Sequence, residues 1–73
     1  MDHNIITREF RKDIGEALWK ARREKKLLVS KVADDLGEKQ RDIELLEMGR
    51  IFEYSLLRKL AQYYGKNMKI VFE

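Results

Sequence analysis

The chain has no cysteine, no proline, a single histidine and four glycines among its 73 residues. Without cysteine, neither a disulfide framework nor thiolate metal ligation can reinforce the core, and a reducing compartment fits. His3 stands alone in an N-terminal stretch expected to fray, so no metal site and no cofactor is expected. Absence of proline, with Leu, Ile, Ala and Glu plentiful, favours helices. No apolar run approaches the roughly 20 residues of a membrane span, and the N-terminus lacks the apolar core of a signal peptide. The expectation is a cytoplasmic protein with no membrane partner. What remains is one small domain over 1–73 with a single core and no room for a large catalytic cleft. So small a core gains from association, which makes a homodimer the natural expectation.

Ile6, Phe10, Ile14, Leu18 and Ala21 recur at three- and four-residue spacing and predict a first helix from about Arg8 to Lys25, with Thr7 as its N-cap. Leu27, Val32, Ala33 and Leu36 form a shorter stripe that Gly37 ends. A third segment turns Ile43 and Leu46 inward, leaves Glu38, Lys39, Gln40, Arg41, Glu44 and Leu45 on its outer face, and stops at Gly49. Two short helices over about 29–48, separated by so tight a turn, make the pattern of a helix-turn-helix. Leu56, Leu57, Leu60, Ala61 and Tyr64 mark a fourth helix, with Ser55 or Glu53 near its start and Gly65 at its end.

The tail behaves differently. Met68, Ile70 and Phe72 alternate with Lys69, Val71 and Glu73, and the β-branched pair Ile70-Val71 favours a strand over about 68–72. No other segment reads as a strand, so Met68, Ile70, Val71 and Phe72 are expected to pair with the same strand of a second copy across a twofold axis. The fold class expected is all-α: a compact four-helix domain with one short C-terminal strand.

Ile14-Gly15-x-x-Leu18 with Arg22, then Leu27, Val32-Ala33-x-x-Leu36-Gly37 and Ile43-x-x-Leu46-Glu47-x-Gly49 follow one another at fixed offsets. In this the segment from Ile14 to about Gly65 resembles the lambda-repressor-like, Cro/C1-type (XRE) helix-turn-helix domains. The resemblance implies a DNA-binding transcriptional regulator, a homodimeric repressor reading an inverted repeat in double-stranded DNA through its third helix. It also implies a structural salt bridge between Arg22 and Glu47. Leu57-x-x-Leu60-Ala61-x-x-Tyr64-Gly65 is similar to the family's fourth helix, although the preceding Arg50-Ile51-Phe52-Glu53 loop is a residue shorter and lacks the usual proline. The strand-like tail is similar to that of the HigA and HipB type of antitoxin regulators, which implies a toxin or other protein as a further partner.

The start of the third helix carries Lys39, Gln40 and Arg41. Lysine and arginine can donate to guanine O6 and N7, glutamine can bridge adenine, and Glu44 one turn on can accept from a cytosine amine. Phosphate anchoring falls to Lys25, Lys26, Lys31 and Arg50. Against this, the family usually has glutamine at the place of Val29, a serine or threonine cap at that of Lys39, and an apolar residue at that of Glu38. Glu38 to Met48 holds two positive and four negative residues, a net −2, whereas Arg8 to Lys26 holds eight positive and four negative, a net +4. The basic surface is therefore expected on the first helix, and the alternative function is an antitoxin-like subunit that binds a protein. Many of these charges can equally be a solvated face.

No enzyme is expected. Ser30 and Thr7 have no histidine in a nucleophile pattern, Asp34-Asp35 reads as helix surface, and the scattered glycines form no phosphate loop. Trp19, Tyr54, Tyr63 and Tyr64 fall at helical spacings and are expected in the core or its rim, not stacked on bases.

Overall fold

The computed structural model describes residues 7–66, which form four helices: α1 (Arg8–Glu24), α2 (Val29–Leu36), α3 (Gln40–Glu47) and α4 (Tyr54–Tyr63). Among the described residues there is no strand, and no helix is long and apolar enough to cross a membrane. The expected strand at Met68, Ile70, Val71 and Phe72 lies outside the described residues, as do His3 and Ile6.

Helix α1 starts where Thr7 Oγ1 accepts the amide of Phe10 at 3.1 Å, satisfying one of the donors a first turn leaves open. It ends one residue short of the expected Lys25, which is its cap, and Arg22 and Arg23 in its last turn suit the negative end of the helix dipole. Helix α2 is stopped by Gly37 in the left-handed region (φ 67). Two reverse hydrogen bonds complete that stop, Glu38 N to Ala33 O at 2.9 Å and Gly37 N to Asp34 O at 3.3 Å. The same motif closes α1 through Lys26 (φ 55), a side-chain-bearing residue for which the left-handed conformation costs roughly 1–2 kcal/mol. Helix α4 is capped by Glu53, whose carboxylate accepts the Leu56 amide at 2.8 Å and the Ser55 hydroxyl at 2.9 Å. Those two donors, the amide foremost, hold Glu53 below the usual carboxylate range. In the loop before it, Ile51 and Phe52 lie against the core and anchor a connection that has no proline.

The core is built from one stripe of each helix. Ile14, Leu18 and Ala21 of α1, Val32 and Ala33 of α2, Ile43 and Leu46 of α3, and Leu56, Leu57 and Leu60 of α4 are all buried, with Phe10, Leu27 and Leu36 packed around them. Each fully buried leucine contributes roughly 1.5–3 kcal/mol. Helix α1 packs chiefly on α3, and α2 on α3. This fixes which face of α3 is left to solvent.

Of the four aromatics expected in the core or its rim, Tyr64 is buried and Tyr63 half-buried, with their rings edge to face. Trp19 (41 % exposed) and Tyr54 (54 % exposed) stand on the surface instead. Tyr54 opens α4, and Trp19 carries the Arg23 guanidinium 4.8 Å from its ring centre in a cation–π contact.

Burial pushes Tyr64 up to about 12, and its hydroxyl has no hydrogen-bond partner among the described residues. A raised folded-state value means that stability is fully present below the ordinary value of 10.0 and is lost as pH rises through about 12, because the unfolded chain releases this proton first. Tyr64→Phe removes an unpaired buried hydroxyl, so its stability at pH 7 should equal or exceed the parent's, with a shallower loss between pH 10 and 12. Denaturant titrations at stepped pH read both effects. A variant less stable by more than about 1 kcal/mol at pH 7 would show instead that the hydroxyl has a partner.

Candidate nucleic-acid interface

The burial of Ile43 and Leu46 turns the opposite side of α3 outward, and Lys39, Gln40, Arg41 and Glu44 are all exposed on it. Lys39 occupies the N-cap in an extended conformation and makes no side-chain cap, so the first-turn amides of α3 have no capping side-chain acceptor. Gln40 Nε2 donates to Glu44 Oε2 at 3.1 Å, which ties two of the expected base readers to each other. A two-point contact from Gln40 to adenine requires that bond to open. Glu38, expected on the outer face, is half-buried and accepts from Lys59 of α4. It fastens the α2–α3 turn to α4 instead of facing a ligand.

The expected phosphate contacts lie on three separate segments. Lys25 and Lys26 are exposed in the turn between α1 and α2, and Arg50 is exposed directly after α3. Lys31, in the first turn of α2, is paired with Asp35 at 3.2 Å in an exposed ion pair of the kind worth little. Asp35 also accepts from the Tyr63 hydroxyl, and that bond, followed by Lys31, lowers its titration while raising that of Tyr63. The N-cap of α2 is Leu28, 72 % exposed, whose side chain caps nothing.

Arg22 and Glu47 hold the end of α3 in place. Nε and Nη2 of Arg22 donate to the two carboxylate oxygens of Glu47 at 2.8 and 3.0 Å, and Nη1 donates to Leu27 O at 3.0 Å. With side chains only 16 % and 7 % exposed, this two-point pair locks the end of α1, the turn into α2 and the end of α3 into one unit. The bond to Glu47 raises the Arg22 titration against the opposing effect of burial.

Two depressions were not assigned from the sequence, although a basic surface on the first helix was expected. Trp19, Met48, Glu44 and Glu47 surround a depression of about 290 Å³ beside Arg22. Arg8, Arg11, Lys12 and Arg50, with Met48 and Gly49, line another of about 410 Å³. The excess charge of the first helix and the i, i+3, i+4 spacing of Arg8, Arg11 and Lys12 were legible signals of a basic face. That Arg50 joins them is a tertiary fact.

No protein-family model matches the chain, and no match is found among the curated proteins or the solved structures compared with it.

Proposed function

We propose that the chain is a lambda-repressor-like helix-turn-helix regulator that binds double-stranded DNA. The observation that carries this reading is the start of α3, where Lys39, Gln40, Arg41 and Glu44 share one exposed face while Ile43 and Leu46 bury the other. A helix presented in this way fits the major groove with its first residues against base edges. Uncapped first turns at α2 and α3 add amide donors suited to phosphate oxygens. In this reading two copies place their α3 helices in successive grooves about 34 Å apart on an inverted repeat, and occupancy of a promoter gives repression.

Arg41→Ala tests the assignment of base contacts. It should relax sequence choice at one base pair by roughly 1–3 kcal/mol while leaving the other positions as they are. Competition binding against duplexes varied one position at a time reads this, and an equal loss at every site would remove Arg41 from the base-reading set.

A second reading is favoured by one specific feature. Trp19 (41 % exposed) and Met48 (57 % exposed) stand beside Glu44 and the Arg22–Glu47 pair, a partly apolar surface of the kind that suits a protein partner. In that reading the chain is an antitoxin-like subunit, with α3 turned to a protein and not to DNA.

A further inference from the structure

Lys31 lies in the first turn of α2, where the DNA-binding reading expects a phosphate contact, yet its ammonium meets a carboxylate of its own chain. Nζ stands 3.2 Å from Asp35 Oδ1, one turn further along the helix. The other oxygen, Oδ2, accepts the hydroxyl of Tyr63 from α4. Asp35 thus gives one oxygen to each of two helices, and its side chain is 34 % exposed against 60 % for that of Lys31.

The third member separates this cluster from a lone surface pair. A carboxylate on a free side chain can follow its partner's ammonium or turn away from it, but one bonded to a half-buried tyrosine is held in place. Tyr63 is itself fixed, packed on the core with its ring edge to face against the buried Tyr64. The Tyr63 hydroxyl, followed by Lys31, favours the charged carboxylate and holds Asp35 below its ordinary range, so it is an anion at neutral pH. A fixed anionic oxygen on Lys31 Nζ makes the same charge-assisted contact that a phosphate oxygen makes with a lysine. A phosphate approaching Lys31 has to share the ammonium with that oxygen and meets the repulsion of its charge.

We propose that Asp35, held by Tyr63, competes with DNA phosphate for Lys31 and sets how tightly the domain grips the DNA backbone. The inference rests on the DNA-binding reading and deepens it, adding a positioning residue and its support on α4. A phosphate contact carries no sequence information, so the competition weakens all duplexes alike and leaves base choice to α3. It also links the backbone grip to the packing of α4, because the hydroxyl that fixes the carboxylate comes from that helix.

The test is Asp35→Asn, which removes the charge and keeps an oxygen able to accept the Tyr63 hydroxyl. Its control is Asp34→Asn, which deletes the same charge at the neighbouring exposed position. Affinity for a preferred and a shuffled duplex is measured by fluorescence anisotropy, with thermal unfolding of each variant to establish that it is folded. At low salt Asp35→Asn is expected to bind both duplexes roughly two- to fivefold more tightly than Asp34→Asn, with the preference between duplexes unchanged. In a Lys31→Gln background the two substitutions should become equal, a result that a merely structural role for Asp35 would not give. Equal affinities without Lys31→Gln, an advantage that survives it, or an advantage confined to one duplex overturns the proposal and leaves the DNA reading standing. If the parent binds neither duplex, the DNA reading fails and the proposal falls with it.

Discussion

Gly15→Ala is expected to destabilise the domain by roughly 2–3 kcal/mol, although alanine is the better helix former by about 1 kcal/mol. Gly15 lies mid-helix in α1 and is buried, and a Cβ built on it meets Glu47 O at 2.3 Å, Leu46 O at 2.6 Å and Glu47 C at 2.7 Å. All three atoms are backbone, so no side chain can swing away. The end of α3 has to move off α1, loosening both the core beneath it and the Arg22–Glu47 pair beside it. For a domain this small the loss corresponds to a fall in Tm of roughly 10–20 °C. Thermal and denaturant unfolding measure it. A variant as stable as the parent would show that α1 and α3 do not approach so closely.

Glu47→Ala should cost a similar or larger amount, about 3–5 kcal/mol, for a different reason. Arg22 would then keep its guanidinium in a mostly buried place with only Leu27 O as a partner of those it has now. Removing one member of such a pair leaves an uncompensated charge, whereas replacing both members with apolar residues removes the demand for compensation. Arg22→Met combined with Glu47→Leu is therefore expected to recover most of the loss. Chemical denaturation of the two single variants and the double gives the coupling directly. A cost below about 1 kcal/mol for Glu47→Ala would place this pair with ordinary exposed ion pairs.

These two contacts show what was legible in the sequence. The apolar spacing of Ile14, Leu18 and Ala21 and the stop at Gly37 follow from local rules, because helical periodicity and left-handed caps are set within a few residues. Thr7 was legible as a cap for the same reason, whereas the start of α4 was left open between Ser55 and Glu53 and the structure gives the cap to Glu53. Pairing of Arg22 with Glu47 came from the spacing shared with a known family, since nothing local brings together residues 25 positions apart. Glu38 was placed on the outer face by periodicity alone, and its partner Lys59, on another helix, has no signature in the sequence. Trp19 and Tyr54 were misplaced because helical spacing does not by itself say which residues of a helix face the core, and here Leu18 and Leu57 take it. The depression lined by Arg8, Arg11, Lys12 and Arg50 needed the fold for the same reason as Glu38. Arg50 meets Arg8 and Lys12 only after α1 has packed across the end of α3.

The central claim, that the exposed start of α3 reads DNA, is tested most directly by titrating the protein against a duplex from upstream of its own gene and a shuffled duplex of equal composition, each at two salt concentrations. The account predicts tighter binding to the first duplex and a marked weakening of both as salt rises. Equal, weak binding to the two duplexes would contradict it and turn attention to the Trp19–Met48 surface as the site of a protein partner.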